Sequence, residues 1–255
     1  MSEINVAIEA ARRAGHALHD HYNRPHEVSY KGIIDLVTEM DHESEHLITE
    51  ILRQSFPEYG ILGEEGPKST APYTCRWIID PLDGTTNYSF RYPLFGVSIA
   101  LEKHGEIILG VVYNPILDEL FIAEKGSGAR LNGIPTHVTD TSELGKSLLA
   151  SGFPYDAWTN ASNNCNEWEH FIKSTVSVRC DGSAALDLCH TACGRLDGYW
   201  ELDLEPWDMA AGALIVQEAG GLVTQVDGKP FSHLRRSVLA SNGHLHQAML
   251  DVLKR

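Results

Sequence analysis

The stretch W-I-I-D-P-L-D-G-T-T-N-Y at residues 77–88 decides the organisation of this chain. Its apolar residues predict the end of a buried strand, and two carboxylates, Asp80 and Asp83, leave that strand within one turn. Mg²⁺ prefers oxygen ligands and shares its coordination with phosphate and water, so this spacing indicates a magnesium site. Gly84 allows a ligand to approach the backbone closely. Residues 85–87 predict the cap of a following helix, whose free N–H groups favour an anion.

An Asp-Gly pair after a strand is also a common turn, so the stretch alone does not establish a metal site. Two other segments repeat the pattern. The sequence I-L-G-E-E-G at 61–66 ends an apolar run with Glu64 and Glu65 beside glycine. The sequence W-D-M-A-A-G at 207–212 places Asp208 at the start of an alanine-rich helix. Three acid-bearing ends of strands or helices, far apart in the chain, favour one shared metal centre.

The charge of the chain limits its partners. Its 255 residues suffice for one large or two modest domains with a sizeable core. A formal net charge of −15 without a basic run argues against nucleic acid or an anionic membrane as the main partner. Divalent cations invert local electrostatics, so an acidic chain that binds phosphate is expected to do so through metal. No signal peptide, long apolar segment or lipidation motif is found, so a cytoplasmic location is expected.

The five cysteines include no C-x-x-C pair, and their odd number argues against a full disulfide framework. Cys189 and Cys193 are four residues apart and share a helix face, with His190 between them. Zinc binding is one interpretation of this group. Thiols buried on an apolar helix face are the commoner one.

The first half of the chain predicts two helices packed on an antiparallel sheet. Apolar periodicity predicts helices over residues 4–22 and 41–54. A loop follows at 67–72. Strands are predicted at 95–101, 107–113 and 120–123, with turns at 103–105 and 126–133.

Beyond about Thr141 short strands and helices alternate. Strands are predicted at 147–150, 177–179, 200–202 and 222–224, and helices at 166–174, 184–193, 209–219 and 245–253. Residues 153–166, rich in Asn, Ser and Trp, predict an exposed loop near the active site. The chain therefore predicts an α+β / α/β fold, a layered αβαβα sandwich. Residues 1–140 form an α+β half with most of the metal ligands, and residues 141–255 an α/β half with Asp208.

Four motifs resemble those of the inositol monophosphatases, within the wider group of lithium-sensitive, magnesium-dependent phosphatases. They are G-E-E at 63–65, the stretch at 77–88, G-S-A-A at 182–185 and W-D-M-A-A-G at 207–212, in the family's order. The resemblance runs from the N-terminal helix to the end of the chain. The T-T-N ending of the central motif is more similar to the inositol-phosphate branch than to the nucleotide-bisphosphate branch. The resemblance implies a phosphoric monoester hydrolase, a homodimer and inhibition by lithium at one metal position.

The resemblance also implies the metal centre. The ligands of two or three Mg²⁺ would be Glu64, Asp80, the carbonyl of Leu82, Asp83 and Asp208. Asp41 and Thr85, with Glu64, would position and deprotonate the attacking water. A simple helix N-cap, worth roughly 1 kcal/mol, is the alternative role for Asp41. Lys31, Asp35 and Glu65 would lie behind the ligands, where the lysine offsets the crowded carboxylates.

Substrate contacts follow from the same resemblance. Gly84 and Thr85 would donate hydrogen bonds to the phosphate, next to Asp83 and Asp208. The alcohol would contact Arg179, Gly182, Ser183, Ala184 and Glu201. A carboxylate at Glu201 that accepts hydrogen bonds from ring hydroxyls suits a small phosphorylated polyol, although a surface acid at a strand end is the alternative. Cys180 and Asp181 stand where the family more often has small or neutral residues, which leaves room for a cationic alcohol such as histidinol phosphate.

The predicted reaction is hydrolysis of inositol 1-phosphate to inositol and phosphate by direct attack of metal-activated water. No H-x-x-x-x-x-R loop surrounds a cysteine and no D-x-D-x-[TV] signature is found, which disfavours a covalent intermediate. A histidinol-phosphate phosphatase or a broad sugar or polyol phosphatase is the alternative within the family. An inactive regulatory or interaction subunit is the alternative outside enzymology. Unused carboxylates clustered in one site would only repel each other, which favours activity.

Overall fold

The computed structural model describes residues 1–24, 28–30, 35–66 and 74–254. Lys31 and the predicted loop at 67–72 lie outside these residues. The helices are α1 (Glu3–His21), α2 (Glu39–Ser55), α3 (Thr85–Ser89), α4 (Cys165–Ile172), α5 (Ala184–Ala192), α6 (Pro206–Glu218) and α7 (His246–Leu253). The strands are β1 (Val28–Tyr30), β2 (Leu36–Thr38), β3 (Gly60–Gly63), β4 (Cys75–Asp83), β5 (Gly96–Lys103), β6 (Glu106–Asn114), β7 (Glu119–Glu124), β8 (Ala129–Leu131), β9 (Ile134–Pro135), β10 (Leu148–Ser151), β11 (Ser177–Arg179), β12 (Gly198–Leu202), β13 (Leu222–Thr224) and β14 (Ser237–Ser241).

The larger sheet is covered on both faces. Its seven strands run in the order β3-β4-β5-β6-β7-β8-β9, antiparallel except for the parallel pair β3 and β4. Successive side chains of a strand point to opposite faces. Trp77 and Ile79 of β4 accordingly pack in one core with α1 and α2, whereas Ile78 packs in another with α5 and α6. The predicted buried strand before Asp80 is therefore confirmed.

The second sheet completes a five-layer sandwich. Its strands run in the order β11-β10-β12-β14-β13. Tyr199 of β12 faces the core that contains α5 and α6, and the next residue, Trp200, faces a core with α4 and α7. Helices α5 and α6 thus lie between the two sheets. The layers are α1/α2, the first sheet, α5/α6, the second sheet and α4/α7, which confirms the predicted αβαβα architecture.

Several boundaries differ from the sequence predictions. Helix α2 begins at Glu39 with Thr38 as its N-cap, so Asp41 is the third residue of the helix and not its cap. Strand β8 falls within the predicted turn at 126–133, and β14, which lies between β12 and β13, was not predicted. Strands β1 and β2 pair with each other in a separate small sheet, and the two larger sheets use residues 60–135 and 148–241. Because α6 packs on β5 and β6, the division at residue 140 stays a prediction.

The helices of the described residues are short or polar relative to the thickness of a bilayer. A spanning helix needs about 20 predominantly apolar residues. Within the described residues, none of the helices combines the length and the apolarity that crossing a membrane requires.

Candidate active site

A cavity of about 880 Å³ lies where β4 ends, between the two halves of the chain. Its wall includes twelve of the residues that the sequence analysis selected: Asp35, Glu64, Asp80, Leu82, Asp83, Gly84, Thr85, Gly182, Ser183, Ala184, Glu201 and Asp208. Apart from Asp35, which directly precedes β2, they come from the ends of β3, β4 and β12 and from the beginnings of α3, α5 and α6. The structure therefore brings together acids that are up to 173 positions apart, from 35 to 208.

The end of β4 presents its two carboxylates through an irregularity in the sheet. Asp80 pairs with Ser98 and Asp83 with Gly96, so three steps along β4 match two along β5. Such a bulge bends a strand and redirects its side chains. The backbone N–H of Leu82 donates to Asp80 Oδ1 at 3.0 Å, which fixes the first carboxylate.

Asp83 is held by the other half of the molecule. Its Oδ2 accepts hydrogen bonds from the Ser183 hydroxyl and, at 2.9 Å, from the backbone N–H of Ala185 at the start of α5. Burial raises the pKa of Asp83 to about 6, although these hydrogen bonds to the ionised form act in the opposite direction. The resemblance predicts that Ser183 contacts the substrate alcohol. In the structure its hydroxyl binds Asp83 and orients that carboxylate.

Gly84 occupies a position that only glycine fits without strain. Its φ is +93°, and a Cβ there would lie 3.1 Å from Leu94 O and 3.2 Å from Gly182 O. Next to it, Asn87 Nδ2 lies within hydrogen-bond distance of Leu94 O at 2.6 Å and of Asp181 O at 2.7 Å. The sequence predicts Asn87 as part of a helix cap and of the T-T-N ending, whereas in the structure it joins the two loops that form this corner.

Asp41 lies behind the cavity wall, fully buried. Its Oδ2 accepts from the backbone N–H and the hydroxyl of Thr38, both at 2.7 Å, while Thr85 Oγ1 lies 2.9 Å from its Oδ1. The Thr85 hydroxyl also lies 3.0 Å from Leu82 O. Burial raises the pKa of Asp41, and the hydrogen bonds from Thr38 and Thr85 act against that rise. Asp41 therefore stabilises the start of α2 and contacts Thr85 at the same time.

The buried acids fit a hard divalent cation. Burial, followed by the charges of Glu64, Asp83 and Asp208, raises the pKa of Asp80 well above its ordinary value. Burial, followed by the charge of Asp83, does the same for Asp208. Arg236, which also lines the cavity, pairs with Asp203 at 2.8 Å and with Glu205. An all-oxygen set of crowded carboxylates is the donor chemistry that Mg²⁺ and similar ions prefer.

Glu201 lies half-buried in the opposite wall, at the end of β12. The Tyr199 hydroxyl donates to Glu201 Oε2, and burial raises the pKa of Glu201 to about 7. Any side chain at Gly152 would collide with this carboxylate. Glu201 is thus a cavity acid and not an acid on the open surface.

The loop predicted at 153–166 borders the cavity through residues 153–158. Its far end is held by Asn164, which is fully buried with a φ of +67°. Asn164 Nδ2 donates to Gly152 O at 2.6 Å, and its Oδ1 accepts from Trp200 Nε1 at 2.7 Å. Sequence reasoning missed this residue, although an asparagine tolerates a left-handed conformation better than most residues.

Two predicted residues lie elsewhere, and a third is outside the described residues. Arg179, on the edge strand β11, is exposed and donates to Ser177 Oγ at 2.6 Å, and it is not part of this cavity's wall. Glu65 borders a separate cavity of about 260 Å³, with its backbone N–H bound to Glu45 Oε2 at 2.8 Å. Lys31 is outside the described residues. The cysteines are free, and Cys189 is buried in an apolar core, in agreement with the commoner interpretation of this pair.

Comparison with known proteins decides the family. The profile described as the inositol monophosphatase family matches residues 2–255. The chain belongs to the inositol monophosphatase family. An inositol-1-monophosphatase of Synechocystis sp. is 44% identical over 252 residues, which cover 98% of this chain and 88% of that protein. The structure of an inositol monophosphatase from Anabaena (Nostoc) sp. superposes with a TM-score of 0.91 at 44% identity, covering 98% of this chain and 94% of that one.

A further relative has a different name. The protein called Nus factor SuhB in Escherichia coli is 40% identical over 263 residues, which cover 99% of this chain and 98% of that protein. Membership of the inositol monophosphatase family confirms the resemblance that the motifs showed. It also confirms the predicted class of enzyme, a phosphomonoesterase of a metal-dependent family that acts on small phosphorylated substrates.

Proposed function

We propose that this chain is a cytoplasmic, Mg²⁺-dependent phosphatase that hydrolyses inositol 1-phosphate to inositol and phosphate. The observation that carries the proposal is the meeting of Glu64, Asp80, Asp83 and Asp208 in one cavity. Four acids in such a place repel each other unless cations or protons compensate their charge. The Synechocystis relative, named an inositol-1-monophosphatase, supports the choice of substrate.

The metal ligands in this proposal are the four acids and the carbonyl of Leu82, which would hold two or three Mg²⁺. Bound there, Mg²⁺ would supply Lewis-acid stabilisation of the charge on the phosphoryl oxygens and the leaving alkoxide. The proximity of the acids and the all-oxygen donor set support this assignment. Asp35 and Glu65 would tune the site from outside the ligand set.

Asp41 and Thr85 would together accept the proton of the attacking water. Thr85 lines the cavity and Asp41 does not, so the hydroxyl would contact the water and the carboxylate would receive the proton through it. Burial raises the pKa of Asp41, which makes its carboxylate a better proton acceptor than an exposed one. Gly84 and Thr85 would donate to the phosphate, next to Asp83 and Asp208.

The alcohol side favours a neutral polyol. Glu201 would accept hydrogen bonds from ring hydroxyls, between Gly182 and Ala184 on one side and the 153–158 loop on the other. Asp181, which raised the alternative of a cationic alcohol, is not part of the cavity wall, because its carboxylate lies with Asp187 and His190. The cavity therefore lacks the Asp181 carboxylate that would attract the cationic histidinol phosphate. Its wall suits inositol 1-phosphate better. Arg179 would contact the substrate only after a change of its present hydrogen bond.

Activity with and without Mg²⁺ tests the proposal. We expect phosphate release from inositol 1-phosphate to require Mg²⁺, to exceed release from histidinol phosphate, fructose 1,6-bisphosphate and glycerol 2-phosphate, and to fall in the presence of lithium. A preference for histidinol phosphate would instead make the chain a histidinol-phosphate phosphatase. Equal rates on all four would indicate a broad sugar or polyol phosphatase.

A second candidate function is that of a regulatory or interaction subunit. The observation in its favour is the name of the Escherichia coli relative, which describes a factor and not an enzyme. Absence of turnover on every phosphomonoester in Mg²⁺ would support this candidate. We also propose a homodimer, to be checked by light scattering on the purified chain, with a monomeric mass as the contrary result.

A further inference from the structure

A second group of potential metal ligands lies outside the cavity, at Asp181, Asp187 and His190. Each side chain offers one ligand atom, and the three atoms lie within 4.8 Å of one another. Asp187 and His190 are three positions apart on α5, so they share a face of that helix. Asp181 comes from the segment that leads into the helix. The group therefore joins a loop to the helix that follows it.

Two of these three ionisable side chains are buried, which destabilises the fold unless they have partners. Asp187 is 2% exposed and His190 is 8% exposed, while Asp181 is half-buried. Among the described residues, Asp187 Oδ1 and His190 Nε2 have no hydrogen-bond partner apart from the contact between the carboxyl groups of Asp187 and Asp181. Buried polar atoms normally have a partner, and an unsatisfied one destabilises the fold. Two such atoms in one small group indicate that a ligand binds there.

The charge of the group indicates a cation. Burial, then the positive charge of Arg195, lowers the pKa of His190, which keeps its imidazole neutral and available as a ligand. Burial, then the charges of Asp181 and Glu201, raises the pKa of Asp187 well above its ordinary value. Arg195 itself pairs with Glu119 through both guanidinium nitrogens. A divalent ion would balance the two carboxylates of the group.

We propose that Asp181, Asp187 and His190 form a second cation site that binds a divalent transition metal of the Zn²⁺ type. Imidazole with carboxylates suits Zn²⁺ and its neighbours, whereas Mg²⁺ prefers oxygen ligands alone. Three protein ligands leave a fourth, open position for water, and the half-buried Asp181 gives the ion a path from solvent. This site is separate from the acids at the ends of β3 and β4 and does not depend on the proposed function.

The role of this cation would be to position the substrate loop. Asp181 O lies 2.7 Å from Asn87 Nδ2, and Ser183, two residues later, donates to Asp83. An ion bound to Asp181 and to α5 would hold residues 181–183 against the helix. The loop that orients Asp83 would then be fixed from both sides.

Metal stoichiometry tests the proposal. The full chain is stripped with a chelator, returned to excess Mg²⁺, titrated with Zn²⁺ and analysed for bound zinc. We expect Asp181→Asn and His190→Gln to bind one zinc fewer per chain than the wild type. The matched controls Asp140→Asn and His170→Gln lie outside the group and should bind as much zinc as the wild type. Circular dichroism checks the fold, and the half-buried Asp181 provides a variant that does not disturb the core.

Anomalous scattering from crystals grown with Zn²⁺ gives the position independently. A zinc peak between Asp181, Asp187 and His190 is the expected result. Zinc confined to the cavity acids, or equal stoichiometry in Asp181→Asn and the wild type, would overturn the proposal. The carboxyl groups of Asp181 and Asp187 would then share a proton in place of a metal.

Discussion

The Thr85 hydroxyl lies 2.9 Å from Asp41 Oδ1, across a sequence separation of 44 residues. Thr85 borders the cavity, whereas Asp41 is fully buried behind it and receives two further hydrogen bonds from Thr38. The pair therefore connects the interior of α2 to the cavity surface. A proton accepted at Thr85 has a carboxylate within direct reach.

Replacing Thr85 by valine removes this hydroxyl and keeps the shape of the side chain. We expect Thr85→Val to lower kcat for inositol 1-phosphate by between about 100-fold and 10,000-fold, the range for lost acid–base assistance. Thr85→Ser, which keeps the hydroxyl, should retain most of the activity. Steady-state kinetics in saturating Mg²⁺ measure the effect, and equal rates for the valine and serine variants would exclude a role for the hydroxyl.

Asp208→Asn should change activity and stability in opposite directions. The asparagine oxygen can still accept from the backbone N–H of Glu205, so α6 keeps its capping interaction. Loss of the ligand charge should lower kcat by more than about 100-fold. Without metal, the variant should be more stable than the wild type by at least about 1 kcal/mol, because one buried, repelling charge is gone. Urea unfolding after chelation measures the second effect, with Asp140→Asn as the control. A less stable Asp208→Asn would contradict the repulsion on which the metal assignment rests.

The stability that excess Mg²⁺ adds should increase between about pH 5 and about pH 8. A carboxyl with a raised pKa binds its proton more tightly in the folded chain, so its contribution is present at low pH and is lost as the pH rises through the folded value. The pKa of Asp83 rises from 3.8 to about 6, and the pKa of Glu201 rises from 4.5 to about 7. A bound cation compensates the charges that appear in this window.

Melting temperatures with and without Mg²⁺ at the two pH values measure this increment. The lowered pKa values of the buried histidines His190, His233 and His246 have the opposite pH dependence, but they affect both measurements equally. An increment that is independent of pH would mean that cations do not bind at Asp83 and the acids beside it.

Glu201→Gln should affect polyol substrates selectively. Loss of a hydrogen bond to a charged acceptor weakens binding by about 10- to 100-fold. We therefore expect KM for inositol 1-phosphate to rise by this factor, while phenyl phosphate, which has no ring hydroxyls, is hydrolysed as before. Glu124→Gln, at an exposed position, is the control. A matching loss on both substrates would assign Glu201 to the metal centre and not to the alcohol.

The sequence predicted most of the candidate site because strong local signals surround its residues. The apolar run before Asp80, the glycine after Asp83 and the alanine-rich helix after Asp208 each predict an element end, and element ends form the cavity. The beginning of α2 can also be predicted from the sequence. Thr38 stands three residues before Asp41, a spacing typical of a capping box.

The remaining features depend on contacts between distant parts of the chain, which the local sequence pattern does not predict. Strand β14 has Val238 in one core and Leu239 in another, so its five residues show no alternation of apolar and polar residues. The sequence grouped His190 with two cysteines on its own helix. The structure instead places it with Asp187 and with Asp181 from the preceding loop, a choice that depends on where that loop folds back.

The hydrogen bonds from Ser183 and Ala185 to Asp83 have a consequence for the timing of activity. During synthesis, the ribosome releases Asp80 and Asp83 long before the residues that orient the second of them. In the proposed site, a nascent chain would carry the acids of the cavity before Asp83 is oriented, and hydrolysis would begin only when α5 has docked between the sheets. In the folded protein, separation of these layers would remove both hydrogen bonds from Asp83, so the proposed activity requires the helix layer to stay packed between the sheets.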